Sequence, residues 1–137
     1  MIVWASGKFL GTRLASSLSR HHLGPGIERL FFIGAALMSL GFIATFQQTA
    51  LNLALAFIIV AAMSDGIADV CLISPIQREP DTLRLPVFSL MTLLQMTGFG
   101  VGMLIVTLYY VWLDPELVII LFHGLPLVIV GGFMWQK

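Results

Sequence analysis

The chain has 137 residues, of which 58% are hydrophobic and 10% charged, and its mean hydropathy is +0.98. A soluble domain carries about 25% charged residues, so this composition excludes a water-facing surface of ordinary extent and points to a multi-pass membrane protein. Seven basic and seven acidic residues cancel, which leaves no charge excess for nucleic acid, and the lone Cys71 excludes an internal disulfide.

Residues 1–19 make a poor secretory signal. Lys8 splits their apolar part, and no small-residue cleavage site follows a clean apolar core. On a helical wheel, Val3, Gly7, Leu10, Gly11, Leu14 and Leu18 share one face. Lys8, Thr12, Ser16 and Ser19 share the other, with Arg13 beside them. Two structures fit this pattern. One is an interfacial helix lying in the headgroup layer; the other is the last part of a crossing helix whose polar face lines a water-filled cavity.

The longer elements follow from uncharged runs. Leu30–Ser64 exceeds the roughly 20 residues of a single crossing, and Gln47-Gln48-Thr49 divides it. Leu85–Leu113 is opened by Pro86, which suits a helix start. Leu117–Gln136 follows the turn Asp114-Pro115-Glu116. The predicted crossings are therefore 29–47, 51–74, 86–112 and 117–135. Strand alternation is absent, which argues against a β-barrel. The expected fold is an all-α polytopic membrane bundle, a single domain over 1–137, with four full crossings and a partial or amphipathic N-terminal helix.

Charge between the crossings predicts orientation. Segment 20–29 carries Arg20 and Arg29, segment 75–85 carries Arg78 and Arg84, and Lys137 ends the sequence. Turns 47–50 and 113–116 carry no Lys or Arg. The positive-inside rule puts the three basic segments in the cytoplasm.

One of these loops carries a family resemblance. In Ser74–Gly102, "SPIQREPDTLRLPVFSLMTLLQMTGFGVG", the residues Gln77, Pro80, Asp81, Leu83, Arg84, Val87, Phe88 and Ser89 lead into a helix with spaced glycines. The stretch resembles the loop and helix before the last two crossings of major facilitator superfamily transporters, in their drug- and siderophore-exporter branches. Leu85-Pro86 stands where those transporters have Gly-Arg. Gly11, Leu14, Ala15 and Arg20 resemble, more loosely, the same family's loop between its eighth and ninth helices. The resemblance implies helices eight (in part) to twelve of a twelve-helix, ion-driven efflux carrier of small molecules that uses no ATP and no bound cofactor. It puts the substrate path between two six-helix halves, so the implied partners are the bilayer, a small-molecule substrate in a complete carrier, and a missing N-terminal half or further copies of the chain. The alternative is a non-transporting helical membrane subunit that acts by packing against a partner.

Asp65 and Asp69 are the candidate pathway residues. The apolar residues of 51–74 favour insertion by roughly 3–6 kcal/mol, and two acids oppose it by roughly 5–7 kcal/mol. Spaced i, i+4, the acids share one helix face. Lys8 lies 12 residues before Arg20 and Asp65 lies 10 before Pro75; Arg13 and Asp69 lie 7 and 6 before the same marks. Equal depth predicts the pairs Lys8–Asp65 and Arg13–Asp69, and in the resembled family helices eight and ten both border the central cavity. Such acids either carry protons or bind a cationic substrate, or their ion pairs only permit insertion and packing.

The remaining features point mostly to packing. Gln95 and Thr97 suit a path lining or an interhelical hydrogen bond, and Gly98 and Gly102 suit close helix packing. "GFGVG" follows no strand and is no phosphate loop. His123 reads as a packing residue, and Trp112 and Trp135 as interfacial anchors. His21-His22 has no third metal ligand nearby. No Ser/His/Asp set or metal cluster argues for an enzyme.

The orientation is open to test. With Arg78→Cys or Glu116→Cys in a Cys71→Ser background, an impermeant thiol reagent on intact cells should label the Glu116 position and spare the Arg78 position. The reverse pattern would overturn the orientation and the family resemblance with it.

Overall fold

A computed structural model of the protein describes residues 2–21 and 26–135. Five helices follow in order: α1 (Ile2–His21), α2 (Ile27–Phe46), α3 (Leu51–Ile76), α4 (Asp81–Tyr109) and α5 (Pro115–Trp135). No strand occurs among the described residues. At 1.5 Å per residue the four helices α2–α5 reach about 30–44 Å, enough for the roughly 30 Å hydrocarbon layer. All four are long and apolar enough to cross a membrane, compatible with an integral membrane protein. The side chains at Leu18, Ser19, Arg20 and His21, and residues His22 and Lys137, lie outside the described part.

α3 is the axis of the bundle. It packs against α1 on one flank and α2 on the other, and α2 in turn packs against α5. The residues that α3 buries are small: Ala61, Ala62, Ser64, Gly66, Ala68 and Cys71. Between helices in lipid the hydrophobic effect gives no drive to associate, so contact rests on close backbone approach through such residues. A methyl group built at Gly7 would lie 2.8 Å from the Ala62 Cβ, and one at Gly41 would lie 2.9 Å from the Ala61 Cβ. One at Gly34 would meet the Ser64 carbonyl at 3.1 Å. The pairs ascend together in α1 and α3, which run parallel; they descend in α2, which runs antiparallel to α3. Buried Ser64 is satisfied within its own helix, its hydroxyl donating to the Val60 carbonyl at 2.9 Å.

Aromatic contacts tie the flanks together. Trp4 of α1 lies 5.2 Å from Phe42 of α2, and Phe42 lies 4.8 Å from His123 of α5. Phe32 stacks on Phe133 at 5.9 Å. The His123 Nδ1 pairs with the Ile119 carbonyl at 3.2 Å, so this histidine is a packing residue with a local partner. Exposed Trp112 and Trp135 stand at the ends of their segments.

Three expectations need correction. α4 begins at Asp81, five residues before Pro86. Pro80 takes an extended backbone (φ −55°, ψ 151°) at the N-cap, and its carbonyl accepts the N–H groups of Leu83 and Arg84. Pro86 thus sits in the second turn, where its missing N–H leaves a carbonyl one turn back without a helical donor.

The wheel of α1 is also divided differently. Gly7, Gly11 and Ala15 are buried together with half-buried Lys8 and Thr12, whereas Leu10 and Leu14 are exposed. Residue size, not polarity, selects the packing face.

Finally, Gly98 and Gly102 pack against no other helix among the described residues: a Cβ at either would meet nothing within 4 Å, nor would one at Gly100. α4 buries no residue and touches α3 only slightly.

The glycines therefore separate into two kinds. Gly11→Ala would drive a methyl into the Met63 carbonyl, and Gly66→Ala into the Lys8 carbonyl. Overpacking of this kind costs about 1–3 kcal/mol, so both variants should melt earlier in detergent. Gly98→Ala and Gly102→Ala should be neutral or slightly stabilising, since they remove a helix penalty of about 1 kcal/mol. Equal losses at all four positions would contradict the packing described.

Candidate functional site

Gly66 lies next to Asp65 and one helical turn from Asp69. Lacking a side chain, it admits the α1 backbone at Lys8 and Thr12, where a Cβ would press on the Lys8 carbonyl and come within 2.9 Å of the Thr12 nitrogen. That approach sets the Lys8 side chain between the two carboxylates. Its ammonium donates to Oδ2 of Asp65 at 2.8 Å and to Oδ2 of Asp69 at 2.6 Å. Charge-assisted bonds of this length are the strong ones. The side chains are 20% exposed for Asp65, 35% for Asp69 and 38% for Lys8. The triad is therefore neither dry nor a surface pair.

Lys8–Asp65 is the pair expected from depth; Arg13–Asp69 is not formed. The Arg13 guanidinium instead lies over the Phe9 ring, 5.2 Å from its centroid, a cation–π contact on the exposed side of α1. The reason is azimuth. Five residues at 100° each turn Arg13 about 140° away from Lys8 around the helix, so equal depth does not bring it to the same face. Asp69 takes Lys8 instead, because one turn of α3 is short enough for a single ammonium to span both acids.

A cleft of about 430 Å³ continues from the triad. Asp69 forms part of its wall, with Thr12 and Ser16 from α1 and Ser74 and Gln77 from the end of α3. Thr12 and Ser16 donate their hydroxyl hydrogens to the carbonyls of Lys8 and Thr12, at 2.9 and 2.7 Å. The polar lining leads from Asp69 to the C-cap of α3 at Gln77, next to the turn before α4. Ser74 and Gly66 are the site residues that sequence reasoning missed. The signal for Gly66 was present: Ala62 and Gly66 are small residues one turn apart, opposite Gly7 and Gly11, which are also one turn apart.

The other candidates lie elsewhere. Gln95 is exposed on α4, outside the α1–α3 interface that holds the triad. In the family-like loop, Gln77 closes α3, Pro80 caps α4, and Asp81 pairs with Arg84 at 2.5 Å. Ser89 is exposed one turn past Pro86. No group of three or more His, Cys, Asp or Glu side chains fit for a metal occurs among the described residues.

No family model matches the chain, and neither a curated protein nor a solved structure does.

The triad predicts a graded mutational series. Lys8→Ala leaves two like charges one turn apart and should be the most damaging single change; removing one partner of a buried pair costs about 3–5 kcal/mol, and partial exposure here sets the lower end. Asp65→Asn and Asp69→Asn should each be milder, because the other acid keeps the lysine. Arg13→Ala should leave stability nearly unchanged. Restoring the loss of Lys8→Ala should require both Asp→Asn changes. Thermal unfolding in detergent measures all of these, and a full rescue by Asp65→Asn alone would show that Asp69 is not a true member.

Proposed function

We propose that the chain is the C-terminal part of a secondary active efflux carrier of small molecules, of the major facilitator kind. In this reading it spans the cell's inner membrane with segments 20–29 and 75–85 and the C-terminus in the cytoplasm. The observation that carries the proposal is the triad. One lysine of α1 faces two aspartates of the apolar α3, beside a cleft whose wall carries Thr12, Ser16, Ser74 and Gln77. Ionisable groups at membrane depth are rare and mark substrate and ion pathways. Fully ionised, the triad has one negative charge in excess, so it accepts one further positive charge, either a proton or a cationic substrate. The resemblance of Ser74–Gly102 to the carriers' loop and helix, and the alternation of basic and non-basic turns, support the same reading.

A carrier of this kind works between two six-helix halves, and the triad would line one wall. Coupling would follow from competition: whichever cation neutralises the carboxylates displaces the other, and the ion gradient drives the exchange without ATP or a bound cofactor. The second reading, a helical subunit that packs on a partner, is favoured by α4, whose Gly98–Gly102 face is open.

Flux separates the two. Reconstituted into proteoliposomes under a pH gradient, the 137-residue chain alone should move no substrate, since it supplies one wall only. Co-expressed with an N-terminal half encoded in frame upstream, it should give gradient-dependent efflux of a cationic dye, and Asp65→Asn should abolish that efflux. Specific flux from the chain alone would remove the half-carrier reading. Unaltered efflux in the Asp65→Asn variant would leave the triad a packing role.

A further inference from the structure

We propose that a second cleft, between the ends of α2, α3 and α5, binds a phospholipid with a primary ammonium head, an ethanolamine phospholipid, with its acyl chain in the cleft and its ammonium on Glu28. The cleft holds about 520 Å³, within the range of ligand sites. It lies at one boundary of the membrane: Ile27 begins α2, Ile76 ends α3, and Phe133 stands two residues before the end of α5. Its lining changes with depth. Glu28, in the first turn of α2, is its one charged side chain among the described residues. One turn deeper the walls are Phe31 and Phe32 of α2 and Cys71 and Leu72 of α3, with Phe133 of α5 stacked on Phe32.

Charge at the rim and apolar walls below it are the complement of an amphiphile standing in a leaflet. Water is a poor filling for such walls, because each molecule needs two to four polar partners. Hydrocarbon chains are the solvent at this depth. Charge then selects the head. A carboxylate repels a net-negative phosphate head and accepts the N–H donors of a primary ammonium; a choline head carries the same cation but has no N–H to give. Glu28 has a contact within the chain, but a carboxylate offers about four lone-pair sites, so it admits a further donor. Arg29 lies outside the lining, and the cleft itself thus presents no cation to an anionic head. A seated chain would also join elements that are otherwise separate, since α3 and α5 have little or no direct contact.

The site is independent of the transport reading and rests only on α2, α3 and α5 crossing a bilayer. Its reporter is native: Cys71, the one cysteine of the sequence, is buried and lines the cleft. In proteoliposomes of dioleoylphosphatidylcholine, N-ethylmaleimide should alkylate Cys71 of the full chain. Replacing half of that lipid by dioleoylphosphatidylethanolamine should slow the reaction by about threefold or more, as one hydrogen bond of ordinary strength gives. Glu28→Gln should remove the slowing, and O-phosphorylethanolamine, the head without chains, should not produce it. Equal rates in the two lipids would overturn the proposal. So would slowing that persists in Glu28→Gln, which marks an effect of the bulk bilayer, or slowing by the soluble head alone.

A measurement on the unaltered chain covers the case in which Glu28→Gln does not fold. Released from mixed micelles that hold both lipids in equal amounts, the chain should retain the ethanolamine phospholipid in preference to the choline one, read by mass spectrometry of the intact complex. Leu72→Trp, which fills the cleft, should lose that preference. Equal retention of the two lipids, or a preference that Leu72→Trp leaves unchanged, would refute the site.

Discussion

A single ammonium held between two carboxylates organises this protein. Each of the three charges is costly in a low-dielectric layer, and none is fully withdrawn from solvent. The arrangement works because the backbones of α1 and α3 lie close together. Gly66 on α3 and Gly7 and Gly11 on α1 remove the side chains that would hold the helices apart. A lysine at a wider separation would reach one acid or neither. Small residues and charged residues are thus one device: the first set the distance at which the second become affordable.

The same small-residue principle extends from α3 to α2 and weakens beyond. Gly34 and Gly41 bring α2 onto Ala68 and Ala61, and Ser39 is buried in the same helix. α5 rests on α2 through rings, Phe133 on Phe32 and His123 on Phe42, with Val118, Ile119 and Val130 buried. α4 has no buried residue at all. The bundle therefore grades from a close-packed layer, α1–α3–α2, to a helix that contributes almost nothing to it. Van der Waals packing is the main attraction between helices in lipid, so this gradient is also one of local stability. Its loose end is the helix with the open glycine face.

Much of this was legible in the sequence, for physical reasons that also explain what was not. Helix number and the turns expected at 47–50 and 113–116 follow from hydropathy and length, because the bilayer sets both; in the structure the second lies between Tyr109 and Pro115. Lys8–Asp65 follows from counting residues to the same boundary, because a helix rises uniformly. The error at Arg13 has the same origin. Counting gives depth but not angle, and Arg13 points about 140° from Lys8. The apolar and polar faces of α1 do not foretell its packing face, because size decides where polarity does not: Leu10 and Leu14 lie exposed while Gly7, Gly11 and Ala15 are buried. Gly98 and Gly102 show the converse limit, since a small-residue spacing marks a surface suited to close approach without showing that a partner approaches it. The start of α4 was displaced because Pro86 was given the role that Pro80 plays.

The charge arithmetic also bears on how the chain assembles. α1 is not among the helices apolar enough to cross on their own, and α3 carries two acids in its second half. α1 falls short in hydropathy and carries the base, whereas α3 is apolar enough to span but carries two acids. Between them comes α2, which is apolar and carries its charges only at its first turn, Glu28 and Arg29. The parallel α1–α3 pairing cannot form as a simple hairpin, because two parallel helices need a crossing between them. α2 supplies that crossing and packs on α3, while the small residues Gly7, Gly11 and Gly66 set the approach at which Lys8 meets Asp65 and Asp69. The helix that contributes no charge to the site is the one that lets its two charged helices run side by side in the same direction.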